Sequence, residues 1–148
     1  MCQLRGLRNV QVLSITQISG RLGVFDTVLM MGNNFGLFGT LKRAGWLLAR
    51  LRCITSPRAR IIAESTDPYQ TGAAEHLAYH ERNRKRGRMS GQLRMRIRYK
   101  KYATPWFDYL LASKDEAKRI VEDSGWSIGA FVDGESGRYV AIIERAGI

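Results

Sequence analysis

Residues 24–39 read VFDTVLMMGNNFGLFG. Val24–Met31 is an almost continuous apolar run of strand length, entered through Gly23 and left through Gly32. Continuous rather than alternating apolarity predicts a strand buried on both faces, as in a parallel sheet covered by helices. The glycines and asparagines of Gly32-Asn33-Asn34-Phe35-Gly36 predict a turn at its carboxyl end.

Downstream, Leu41, Ala44, Leu48 and Leu51 recur at helical spacing, with Lys42, Arg43, Arg50 and Arg52 largely off that stripe. A helix over Thr40–Ile54 follows, and Pro57 bars its continuation. Arg60–Glu64 (RIIAE) predicts a second short buried strand, and strand, helix, strand in this rhythm is a parallel βαβ unit. Residues 65–112 interrupt that rhythm as an insertion, with a helical piece around Glu75–Arg84. Leu93–Tyr99 alternates strictly, with Leu93, Met95, Ile97 and Tyr99 on one face and Arg94, Arg96 and Arg98 on the other. Trp106–Ala112 is its expected antiparallel partner, with a turn near Ala103–Pro105. Ser113 and Glu116 form an S-x-x-E capping box for a helix that buries Ala117, Ile120 and Val121 and ends at Gly125. Trp126–Val132 and Arg138–Glu144 then predict two strands joined by the Gly134–Gly137 hairpin connection.

Upstream, Met1–Gly6 reads as the tail of a helix and Val10–Ser14 as a short strand with little before it to pair with. The 148 residues are 45% hydrophobic, enough for one core, and no apolar run approaches a membrane span or a secretory signal. Two cysteines, Cys2 and Cys53, predict buried or incidental thiols and fit a reducing cytoplasm. The net charge of +11 belongs to one segment: residues 82–101 hold ten basic and no acidic residues, leaving fourteen basic and thirteen acidic elsewhere. A solvated charged hairpin is the first reading of that segment. Second is a nucleic-acid contact through Arg94, Arg96 and Arg98 with aromatic neighbours for stacking. Arginines facing an anionic small substrate come third. His76 and His80 stand i, i+4 beside Glu75 and Glu81, but without a third ligand they predict a solvated helix face rather than a metal site.

A sheet that begins parallel and ends in a helix plus an antiparallel hairpin resembles the class I S-adenosylmethionine-dependent methyltransferase fold, whose last strand runs opposite to the others. Val24–Gly39 resembles that family's fourth strand and following loop, Arg58–Tyr69 (RARIIAESTDPY) its fifth strand and exit, and Ser113–Ile128 (SKDEAKRIVEDSGWSI) its last helix and the start of its sixth strand. The resemblance covers nearly the whole chain, in order. It implies an incomplete Rossmann-like sheet, mostly parallel, with a C-terminal antiparallel hairpin and an inserted basic hairpin. The whole of residues 1–148 is then one partial domain, and 65–112 forms its insertion or lid.

The same resemblance exposes a gap, because the glycine-rich loop and the ribose-binding acid of the family's first two strands have no counterpart. On the order of 60 residues or more are expected upstream. What remains implies a site at the carboxyl ends of the strands. Gly32 and Asn33 are expected against S-adenosylmethionine, with Ser14 and Ile15 near its adenine, and Asn34 facing the substrate. Tyr69, His80, Tyr102 and Trp106 are expected to line a pocket for a small-molecule methyl acceptor. No catalytic group is named, since methyl transfer needs chiefly proximity and orientation. Asp26 and Asp108 are expected to serve structure. The loop lacks the D/N-P-P-Y pattern, which argues against methylation of adenine or cytosine amino groups. Weak or absent cofactor binding is expected, as is self-association through an exposed sheet edge. A basic nucleic-acid-binding module without catalysis is the alternative to a methyltransferase, and an inactive product is the third reading.

Overall fold

The computed structural model describes residues 2–146. Residues 3–5, 15–17 and 20–22 form single 3-10 turns; the expected N-terminal helix tail is thus one 3-10 turn ended by left-handed Gly6, and the Val10–Ser14 strand predicted from sequence is not present among the described residues. Val12 and Leu13 lie exposed, and with no neighbouring strand to pair with, that run gains nothing from extended pairing.

Eight strands and three helices follow in chain order: β1 (Phe25–Met30), α1 (Leu41–Arg52), β2 (Thr55–Thr66), α2 (Ala74–Lys85), β3 (Gln92–Met95), β4 (Arg98–Tyr99), β5 (Tyr102–Ala103), β6 (Phe107–Leu110), α3 (Lys114–Val121), β7 (Trp126–Asp133) and β8 (Arg138–Arg145). The main sheet has the order β1-β2-β8-β7. β1 and β2 are parallel, and β8 enters between β2 and β7 antiparallel to both. Three strands therefore point one way and the last strand the other, as expected. Pro57 does more than end α1: β2 begins at Thr55, and its pairing with β1 skips between Thr55 and Arg60. Pro57 lies in that irregularity, where its missing N–H costs no ladder bond. Arg145 donates to the Thr55 and Ser56 carbonyls and fixes the distortion.

The core sits on one face of this sheet. Thr40 caps α1 by accepting the Arg43 N–H at 3.2 Å. The helix buries Ala44, Leu47, Leu48 and Leu51, while Leu41, assigned to the stripe from sequence, faces solvent. The capping box of α3 forms in both directions, and Ala117, Ile120 and Val121 are buried as predicted. Beneath the helices, rows of side chains cross the sheet: Val28, Ile61, Ile143 and Ile128, then Met30, Ala63, Ala141 and Phe131. Two polar anchors close this layer: Trp126 Nε1 donates to the Leu48 carbonyl at 2.9 Å, and Tyr139 Oη to that of Ala112 at 2.8 Å.

The opposite face departs from the expectation. A row of Leu29, Ile62, Ile142 and Ala130 crosses all four strands there, and Leu29 is 67% exposed, with Phe25, Met31 and Val132 also exposed. β1 is apolar on both faces but buried on one, because among the described residues the helices cover only the other. β1 is also an edge strand.

The predicted Leu93–Tyr99 strand breaks at Arg96-Ile97 into β3, paired with β6, and β4, paired with β5. The turn lies at Lys100-Lys101, where Lys100 takes φ +52°, not at Ala103–Pro105. Ile97 and Tyr99, assigned to an apolar face, are exposed, since nothing packs over the tip of this hairpin. Both cysteines are free and exposed rather than buried. No helix of the described residues is long and apolar enough to cross a membrane.

Candidate functional site

Gly32 and Asn33 continue β1 into two successive left-handed residues, φ +70° and +61°. This conformation is open to glycine and, among the rest, favours asparagine. Three contacts fix the turn. The Gly32 N–H donates to Glu64 Oε2 at 2.8 Å, and Thr66 Oγ1 donates to Asn33 Oδ1 at 2.9 Å. Tyr109 of β6 donates its hydroxyl to the Asn33 carbonyl. Burial raises the pKa of that phenol, assisted by the Glu64 charge, so it remains a donor. A 3-10 segment, Asn34–Phe38, then drives Phe35 and Phe38 into the core, edge to face at 5.0 Å. The Tyr109 ring lies over Gly36, where a Cβ would sit 2.2 Å from its Cε1. Space opposite Gly32 is open: a Cβ there would meet nothing within 4 Å. Asn34 is exposed and its amide makes no hydrogen bond among the described residues.

Beside this turn lies a cavity of about 540 Å³, bordered by the exit of β2, by α2 and by the inserted strands. Thr66 lines it and, through its hydroxyl, holds Asn33. Pro68, Tyr79, Leu93 and Leu111 supply an apolar wall. His76 and His80, one helical turn apart on α2, both line it; His76 is exposed, as a solvated helix face predicts, whereas His80 is buried. His76 Nδ1 pairs with Thr71 Oγ1 at 2.9 Å. His80 is 6% exposed and makes no hydrogen bond among the described residues. Burial, then the Arg84 charge, lowers its pKa below the usual imidazole value, so it is neutral at physiological pH. No cluster of three or more His, Cys, Asp or Glu is placed to hold a metal among the described residues.

Of the predicted acceptor residues, His80 alone lines this cavity. Tyr69 stands outside it, its ring edge-on to His80 at 5.9 Å. Its hydroxyl donates to Glu116 Oε1 at 2.8 Å, while Glu116 Oε2 accepts the Ser113 N–H of the capping box. Burial of that hydroxyl raises the Tyr69 pKa. This chain of contacts ties the insertion to α3. Trp106 is exposed on the inserted hairpin with the Arg96 guanidinium 5.0 Å above its ring, and Tyr102 is exposed under Lys101. Ser14 bonds within its own turn, to Thr16 and Gln17, and Ile15 packs against the core; no hydrogen bond joins either to Gly32 or Asn33 among the described residues. Thr66, Tyr79 and Leu111 were not singled out from sequence, because only the folded insertion brings them together.

Seven of the ten cations of residues 82–101 have an acidic or aromatic neighbour, Arg96 over Trp106 among them. Arg94 pairs with Asp108 at 3.3 Å, Arg84 and Lys85 with Glu81, and Arg82, Lys100 and Lys101 sit over tyrosine rings. Asp108 is thus structural, as is Asp26, which accepts the Ser56 hydroxyl at 2.5 Å.

No protein-family model and no curated protein matches the chain. Solved structures do. A SAM-dependent methyltransferase from Bacteroides fragilis, crystallised with S-adenosyl-L-homocysteine, superposes with a TM-score of 0.76 at 21% identity, over 97% of this chain and 57% of that one. SAM-dependent methyltransferases from Methanosarcina mazei and Clostridium acetobutylicum match with TM-scores of 0.57 and 0.56, at 12% and 6% identity, over 84% and 99% of this chain. The chain spans 57% and 60% of the length of the first two. It has the class I SAM-dependent methyltransferase-like fold.

Proposed function

We propose that these residues form the acceptor side of an S-adenosylmethionine-dependent methyltransferase that modifies a small molecule in the cytoplasm. One observation carries the reading: the Gly32–Asn34 turn stands at the carboxyl end of adjacent parallel strands, unobstructed at Gly32 and next to a cavity. That is where ligands bind in open α/β sheets. The cofactor supplies an activated methyl group on a sulfonium, and the residues here bind and orient. Gly32 lets a ligand approach the backbone closely, the exposed Asn34, without a side-chain hydrogen bond among the described residues, is assigned to the acceptor, and Thr66 links the turn to the cavity wall. Such positioning is the main demand of the reaction. The free edge of β1 and the uncovered Leu29–Ile62–Ile142 row are suited to pairing with a further strand and to cover by a further layer.

Calorimetry with S-adenosylhomocysteine and amide NMR test this together. Binding no tighter than about millimolar is expected, equivalent to roughly 4 kcal/mol, with the Gly32 and Asn33 amides shifting. Micromolar binding would refute the account that most cofactor contacts lie outside these residues. Stationary Gly32 and Asn33 signals at millimolar ligand would refute the loop's role.

A further inference from the structure

Among the buried polar residues described, His80 is the one that lines a cavity, whereas Ser65, also without a partner, is sealed in the core. Asn83 gives its side-chain amide to the carbonyls of Ser90 and Gln92 at 2.9 and 2.8 Å. Glu116 holds Tyr69 and Ser113. Thr55 donates to the Leu51 carbonyl. His80 is as buried as these, at 6% exposure, but its imidazole has no partner among the described residues and faces the cavity beside Thr66. Among the described residues, the sealed side-chain atoms without a partner are Arg43 Nε and Ser65 Oγ; the ring nitrogens of His80 are instead open to the cavity, where a group that enters can meet them.

The remaining walls define that group. Pro68, Tyr79, Leu93 and Leu111 suit a flat apolar body. The charges at the margin, Asp67, Glu75 and Arg82, are of mixed sign, so they do not select an anion. We propose that the cavity binds an uncharged aromatic hydroxy compound, with the ring against the apolar wall and the hydroxyl donating to His80. The groups around the imidazole keep it in the accepting form. Burial first, then Arg84 and His76 on its own helix, disfavour a second proton, and Glu116 on α3 only partly offsets them.

Resting on the function proposed above, the hydroxyl is also the methylated atom. Its oxygen forms the new bond to the methyl carbon, and the carbon–sulfur bond breaks with its electron pair left on sulfur. The hydroxyl proton passes to the free imidazole nitrogen. The sulfonium loses its charge as His80 gains one, so the balance closes without a further reactant.

The chain has two histidines, His76 and His80, which makes ring-nitrogen NMR a direct test on the intact, histidine-labelled protein. The His76→Gln variant assigns the two sets of signals. Titration with 4-methylphenol is expected to shift a His80 nitrogen saturably. Toluene, the same shape without the hydroxyl, should bind about tenfold more weakly, as loss of one hydrogen bond implies, and leave that nitrogen in place. Equal responses to the two compounds, or no His80 shift up to the solubility limit of 4-methylphenol, would overturn the proposal. The cofactor reading fails separately: a normal phenol response with Gly32 and Asn33 unmoved by S-adenosylhomocysteine refutes methyl transfer and leaves the hydroxy-compound site standing.

Discussion

Replacing Gly36 by alanine should destabilise the protein through a single contact. The φ of Gly36 is not in the left-handed region, so alanine suits its backbone, but the new Cβ would lie 2.2 Å from Cε1 and 2.3 Å from Cζ of Tyr109. Both groups are packed, so the ring must swing away. Overpacking of this kind costs about 1–3 kcal/mol. The displaced ring also gives up its hydrogen bond to the Asn33 carbonyl, worth about 1 kcal/mol. The sum, about 2–4 kcal/mol, lowers the melting temperature by roughly 4–16 °C for a chain of this size. Thermal unfolding followed by circular dichroism measures it. The decisive arm is the same substitution in a Tyr109→Ala background. With the ring gone nothing opposes the methyl group, and removing a glycine there should stabilise by about 0.4–1 kcal/mol through the unfolded state. The effect must therefore change sign. An equal cost in both backgrounds, within about 0.5 kcal/mol, would show that Tyr109 does not press on the turn.

Three further outcomes are expected. Burial pushes the Tyr139 phenol up to about 12, above its value in the unfolded chain, so its contribution is complete below pH 10 and is lost as pH rises through 12; Tyr139→Phe should flatten the fall in melting temperature over that window, though not abolish it, since Tyr69 and Tyr109 are raised as well. Leu29→Lys, on the uncovered sheet face, should change stability by no more than about 0.5 kcal/mol while reducing concentration-dependent association in analytical ultracentrifugation; unchanged association would place the sticky surface elsewhere. Fluorescence anisotropy with a generic single strand should show weak binding that Arg94→Ala and Arg96→Ala barely alter, because both side chains are already engaged within the hairpin; a marked loss in these variants, steep in salt, would instead favour a nucleic-acid module.

Elements whose signals are local were legible in the sequence. The S-x-x-E box, the apolar run at Val24–Met31 and the Gly134–Gly137 connection each act within a few residues, and the structure has a capped helix, a strand and a hairpin there. What failed depended on partners. An apolar run reports that a strand is suited to burial, but only the layers present decide whether Leu29 is covered. The alternation of Leu93–Tyr99 is likewise a sound strand pattern, yet β6 ends its pairing at Met95, and beyond it the chain turns into a separate short hairpin. The i, i+4 histidines are visible in the sequence, and His80 lines a cavity, but the polarity of α2 as a whole hides that His80 and Asn83 are buried while His76 is not.

The insertion accordingly carries two properties that sequence composition merges. Its outer part is the charged hairpin, where some cations meet Asp108, Glu81 or aromatic rings in exposed, short-range contacts of small energy, while the net charge of the segment stays uncompensated. Its inner part has different chemistry: His80, Tyr79 and Leu93 turn toward the exit of β2, and Tyr109 crosses to the turn after β1. Tyr109 faces Gly36 while its strand neighbour Asp108 pairs with Arg94, so the alternation of β6 sends one residue to the site and the next to the charged surface. A substitution that removes charge from the hairpin therefore need not touch the cavity, whereas one that shifts the register of β3 against β6 would move Tyr109 off Gly36 and Asp108 off Arg94 together. The hairpin's bearing on the site runs through strand register, whereas Arg82 and Arg84 on α2 act on the cavity directly through their charge.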